Sequence, residues 1–214
     1  MSFSLNEVDA MGKKAARGAG FDWGVAEEAG RAARWLCANG IDGVAALAAA
    51  LSRADGADPL TRAPVSLDGD WRAESGELCP LMAGAALGDA ATLWAGTGKR
   101  LRRIAAPVLL LPFAALAARR LGGPVTLEWA GARAVTDGRA LHVAGAARAV
   151  MAARAEAVAA SAGGALANPG PMLTRATPDR ADWAALSALA QRTYAPRTEQ
   201  SRLLGAGAGL TDND

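Results

Sequence analysis

Apolar residues at three- and four-residue intervals open the chain. Val8, Met11 and Ala15 form one such stripe, and Ser4 with Glu7 has the spacing in which a hydroxyl and a carboxylate each satisfy a free amide at a helix start. A first helix is therefore expected over Leu5 to Arg17, closed by Gly18-Ala19-Gly20. Asp22 is placed to cap a second helix carrying Val25, Ala29, Ala32, Ala33 and Leu36 on one side and stopping at Asn39-Gly40. A third helix is expected from Asp42 through Leu51, so the first fifty residues read as a small helical bundle.

The period is lost between Ala54 and Ser75, where Asp, Gly and Pro accumulate. This predicts a loop with one short strand around Val65–Leu67. Helical spacing returns over Glu77 to Leu93, Val108 to Leu111 reads as a short buried strand, and Phe113 to Leu121 as a helix closed by Gly122-Gly123. The period then shortens to two. Val125, Leu127 and Trp129 alternate with Thr126, Glu128 and Ala130, and the segments Ala132–Thr136 and Arg139–Val143 flank Asp137-Gly138, a dipeptide suited to a tight type I′ hairpin. A further strand is expected from Arg148 into Ala157, giving an antiparallel meander, and a final helix over Pro178 to Thr193 with Trp183, Leu186 and Leu189 inward.

Helices first and strands later predict an α+β fold: an N-terminal helical bundle packed on a mostly antiparallel sheet, with a C-terminal helix and a Gly-rich tail. One globular domain over 1–214 is expected, with a helical half at about 1–121, a strand-rich half at about 122–204 and a tail at 205–214. No block recurs at a fixed period. The six tryptophans are spread along the elements and read as core anchors.

Composition narrows the chemistry. The chain is 51% hydrophobic and 21% charged, enough apolar side chain for a core, and its formal charge of +2 is too small for the footprint of a general nucleic-acid binder. The apolar run Ile104 to Ala118 is interrupted by Pro107 and Pro112 and falls short of the roughly 20 residues of a membrane-crossing helix, so no membrane partner is expected. With no export signal at Met1 to Asp9, Cys37 and Cys79 read as reduced thiols and the location as cytoplasmic. A single histidine, His142, and two cysteines exclude a histidine-rich or cysteine-rich metal site built from one copy of the chain.

The remaining candidates are few. Cys79 precedes Pro80 and so falls at a helix N-cap, where free amides and the helix dipole favour a thiolate. Its alternative role is a small buried core residue, and Cys37 reads as core outright. His142 lies between Leu141 and Val143 on the opposite face of a strand, where its near-neutral ordinary pKa suits proton transfer and Glu128 is a candidate partner. At the C-terminus, Arg197 and Arg202 have the chemistry to clamp a carboxylate or phosphate, with Glu199 between them. Gly205, Gly207 and Gly209 allow close backbone approach to such an anion, while Asp212 and Asp214 are candidate hard-oxygen ligands for a divalent cation. The charge run Lys99 to Arg103 has the chemistry to meet an acidic partner or a phosphate but lacks interleaved aromatics, and reads as a solvated face. Nothing identifies a cofactor.

The block Ser4-Leu5-Asn6-Glu7, Ala15 to Gly20, Trp23 to Arg31 and Trp35-Leu36-Cys37, with the ending Gly205 to Asp214, resembles an uncharacterised bacterial family of similar length. The resemblance runs over the whole chain and implies a single domain, but no activity or residue roles. Two functions are expected to compete. One is an enzyme or enzyme subunit acting on a small anionic metabolite; the other is a non-catalytic accessory or assembly protein whose tail docks on a partner subunit or a second copy of the chain.

Overall fold

The computed structural model describes residues 1–194. It has an α+β architecture in which helices α1 (Leu5–Gly18), α2 (Trp23–Ala38) and α3 (Gly43–Ala54) follow a two-residue strand β1 (Phe3–Ser4). The capping box at Ser4 and Glu7 is formed on both sides, and the Asp42 carboxylate accepts from the Ala45 amide at the start of α3. Asp22 occupies the N-cap position of α2, but its side chain makes no capping hydrogen bond.

The helical part is drawn together by backbone contact. A Cβ on Gly30 of α2 would stand 2.4 Å from the Asp9 carbonyl oxygen of α1, and one on Gly18 would stand 1.8 Å from the Leu189 carbonyl oxygen. Leu189 belongs to α8 (Arg180–Gln191), which packs on α1 and α3 with Leu186 and Leu189 buried. Trp183 of α8, partly buried against the core, stacks on Phe3, and β1 pairs with β7 (Arg175–Ala176). Trp23 is not a core anchor. It is 63% exposed, with Lys13 and Arg17 over its ring.

The loop after α3 contains a 3₁₀ turn, Pro59–Arg62, and no strand at Val65–Leu67. Helix α4 (Pro80–Asp89) starts later than its apolar spacing predicts, because Cys79 holds extended φ and ψ, and a short α5 (Ala91–Trp94) follows. The expected strand at Val108–Leu111 is instead a 3₁₀ turn, Pro107–Leu110, running into α6 (Leu111–Leu121), and both Pro107 and Pro112 stand at helix starts. The strand of this region is β2 (Lys99–Ala105), the stretch read as a solvated charge run.

Strands β3 (Val125–Trp129), β4 (Ala132–Thr136) and β5 (Leu141–Gly145) form the expected antiparallel run. The β4–β5 turn is not type I′: Gly138 has φ of 95°, Asp137 is not left-handed, and the Asp137 carboxylate accepts from the amides of Arg139 and Ala140. After a short α7 (Ala147–Val150), β6 (Arg154–Ala162) returns across β3, giving the order β2-β6-β3-β4-β5 with every neighbour antiparallel. The sheet is thus not a simple meander, since the last long strand is inserted between β2 and β3. One face, carrying Leu101, Val158, Leu127 and Ala134, is buried toward α6; the other carries Arg100, Arg102, Glu128 and Arg133. No described helix is long and apolar enough to cross a membrane.

Replacing Gly18 by Ala should lower stability by about 1–3 kcal/mol or more, because the added methyl meets fixed backbone of α8. Gly24→Ala, where a Cβ meets nothing within 4 Å, should be neutral or stabilising. Urea unfolding of the two variants checks this; equal midpoints would show that α1 and α8 are not in contact.

Candidate functional site

The doubled arginine in β2 sets up the site. In Lys99-Arg100-Leu101-Arg102-Arg103-Ile104 the buried residues Leu101 and Ile104 are three apart, which plain strand alternation cannot place on one face. Arg103 resolves the conflict by adopting a left-handed backbone, φ 48°, and with Glu156 opposite it stands unpaired between the pairs Arg102–Ala157 and Ile104–Ala155, whose register is the same on both sides. Such a conformation costs a non-glycine residue about 1–2 kcal/mol. Both aliphatic side chains then reach the core while Arg102 and Arg103 both stay outside.

Residues 71–78 run alongside this edge of the sheet. The Trp71 amide donates to the Arg100 carbonyl (2.8 Å), the Arg102 amide to the Trp71 carbonyl (2.9 Å), and the Leu78 amide to the Arg103 carbonyl (2.8 Å). Between these anchor points the chain bows outward through a turn closed by the Gly76 amide on the Ala73 carbonyl. The result is a cleft of about 480 Å³ lined by Arg72, Ala73, Gly76, Arg102, Arg103 and Glu156. Gly76 has φ of 81°, and a Cβ there would lie 3.8 Å from Arg103 Nη1, so the guanidinium extends over this glycine.

Charge in the cleft is unbalanced. Arg102 Nε donates to Asp70 Oδ2 at 2.7 Å, whereas Arg72 and Arg103 have no carboxylate at ion-pair distance among the described residues. The Asp70 carboxyl is held below the usual carboxylate range, first by its bond from Arg102 and then by the charges of Arg102, Arg100 and Arg72. Glu156 is the one acid lining the cleft, and Arg154 lies 3.4 Å from it.

Beside the cleft, Glu77 ties three elements together. Its carboxylate accepts two bonds from Arg53 Nη2 (2.8 and 2.9 Å) and one from Nε (3.0 Å), with Arg62 at 3.8 Å and Arg154 at 3.9 Å, and its side chain is only 12% exposed. This anchors the 71–78 segment to α3, to the 3₁₀ turn and to β6. The Arg53 guanidinium gains basicity in return, first from that hydrogen bonding.

Cys79 does stand at the N-cap of α4, and amides of Met82 and Leu81 act on its sulfur in the expected direction. Burial outweighs them and pushes the thiol up, because the residue is 2% exposed. Cys37 is buried and shifted the same way for the same first cause. His142 lies on β5, half-buried and opposite Val135, without a side-chain hydrogen bond among the described residues. Glu128 is not its partner: that carboxylate belongs to β3, with β4 intervening, and pairs with Arg133 at 2.8 Å. Cys79 lies outside the β2 edge and His142 on the β5 edge, so the whole width of the five-stranded sheet, roughly 19 Å at the usual strand spacing, stands between them and the fold does not bring them together. Arg197, Glu199, Arg202, Gly205, Gly207, Gly209, Asp212 and Asp214 lie outside the described residues. Among the described residues no cluster of His, Cys, Asp and Glu is arranged to hold a metal ion. A cavity beside Cys37, Asp42 and Arg175 is about 150 Å³, below the ~300 Å³ at which metabolite pockets begin.

Arg72 was not singled out in the sequence, and Arg102 and Arg103 were weighed there only as part of the charge run Lys99 to Arg103, which read as a solvated face. The signal present was the charge run in β2, and Arg72 lay in the segment without period.

Residues 3–79 match the model of a family described as "Protein of unknown function (DUF3726)". The match takes in α1 to α3 and the segment up to Cys79, in agreement with the resemblance of the N-terminal residues to an uncharacterised family. No curated protein and no solved structure matches the chain.

Two measurements follow. Neither thiol should react with Ellman's reagent in the folded protein at pH 8, while both should react on unfolding; a rapid native reaction at one site would restore Cys79 as a nucleophile. Glu77→Gln should cost about 1–2 kcal/mol in urea unfolding, less than a fully buried pair because Arg53 is 42% exposed. An unchanged midpoint would remove Glu77 as an anchor.

Proposed function

We propose that this chain is an enzyme or enzyme subunit that holds a small anionic metabolite, and that the arginine-lined cleft between residues 71–76 and β2 is where it does so. The observation carrying this reading is that Arg72, Arg102 and Arg103 converge on one cleft of about 480 Å³, within the range of metabolite pockets, with Glu156 as the only acid in its lining. Guanidinium groups favour carboxylate and phosphate because their planar donors match paired oxygens, and a left-handed arginine held at energetic cost is the kind of strain that collects at binding sites. Neither cysteine nor histidine lines the cleft, so the lining supports binding and orientation of an anion more than covalent catalysis.

A thermal-shift and calorimetric screen of phosphorylated and carboxylated metabolites tests the proposal. Ligands carrying such groups should stabilise the protein, and Arg72→Gln or Arg103→Gln should each weaken binding about tenfold, as expected for loss of one charge-assisted bond. Absence of stabilisation by any anion at millimolar concentration, or binding unaffected by both variants, would overturn it.

A further inference from the structure

A second cleft borders the first across the Asp70–Arg102 ion pair. It has a volume of about 610 Å³, and its lining includes Asp70, Thr97, Gly98, Arg100, Glu128 and Ser161. Arg100 and Arg102 are two residues apart on β2 and face the same side, which puts their Cα atoms about 7 Å apart. On β6 they stand opposite Ala159 and Ala157, whose methyl side chains leave the floor between the arginines and β3 unfilled. The acids of this second cleft are already engaged: Asp70 holds Arg102 and Glu128 holds Arg133, each within 2.8 Å. Arg100 has no such partner among the described residues, and Thr97 and Ser161 add hydroxyls beside it. Lys99, by contrast, is occupied with the Leu67 and Gly69 carbonyls and lies 5.4 Å from the centre of the Trp71 ring, so it shapes the loop instead of facing a ligand.

We infer that the two clefts are subsites of one bipartite site, and that its ligand is a small molecule bearing two phosphoryl-type anionic groups separated by a short linker. One group meets Arg72 and Arg103; the other meets Arg100, with the Asp70–Arg102 pair forming the partition between them. This rests on the anion-binding reading above and specifies its ligand.

The test uses methylphosphonate and a ladder of methylene, butylene and octylene bisphosphonates, titrated calorimetrically into the protein. The butylene compound should bind at least tenfold more tightly than methylphosphonate and more tightly than its shorter and longer homologues. Arg100→Gln should reduce it to the methylphosphonate level, whereas Arg103→Gln should weaken both the butylene compound and methylphosphonate; matching thermal melts establish that the variants fold. If methylphosphonate binds through Arg103 but the second group adds nothing, the bipartite inference is overturned and the single-cleft reading stands. If no member of the ladder binds, both are overturned.

Discussion

Backbone touching backbone is the constraint from which the site derives its position. The helices meet through glycine and alanine: a Cβ on Gly43 would stand 2.2 Å from the Ala33 carbonyl oxygen, fixing α3 against α2 at a separation no larger residue permits. From α3, Arg53 reaches Glu77, and Glu77 holds the segment whose flanks are hydrogen-bonded along β2. Displacing α3 by the width of a methyl group would pull on the same carboxylate that shapes one wall of the cleft. The abundance of alanine in the chain suits this close packing.

The sheet contributes a second, opposite condition. Its inner face is held by buried aliphatic residues and Trp129, while its outer face near β2 and β6 carries long charged side chains over the small residues Ala157 and Ala159. An electropositive surface therefore rests on a rigid floor without itself contributing to the core. Like charges gathered in this way repel, and the Asp70 carboxylate among Arg72, Arg100 and Arg102 moderates that repulsion without cancelling it.

Much of the fold was legible in local pattern. The Ser4 capping box, the stripe through Val8 and Ala15, the glycine after Leu121 and the strand over Val125–Trp129 are each set by a few neighbouring residues, and each is formed, although Thr126 is buried where alternation alone would expose it. What was not legible depended on partners distant in sequence. The run at Val108–Leu111 is apolar because it is buried on all sides as a helical turn, a state that hydrophobicity alone does not distinguish from a strand. At Lys99–Ala105 the adjacent arginines broke the period of two, hiding a strand. The cleft joins Arg72 to residues about thirty positions further along, a pairing that only the edge hydrogen bonds reveal. Cys79 was legible both as a cap and as a small buried residue, and the elements packed around it make burial the deciding influence on its thiol.

The left-handed Arg103 also acts as a change of phase. Before it, even-numbered residues of β2 point outward; after it, Ile104 points inward, so the strand is read in one frame on one side of this residue and in the other frame beyond. A strand ordinarily trades every outward position for an inward one. Here no residue is inserted, since the pairs Arg102–Ala157 and Ile104–Ala155 keep one register; Arg103 and Glu156 leave the ladder together, and two consecutive arginines of β2 face outward at this point.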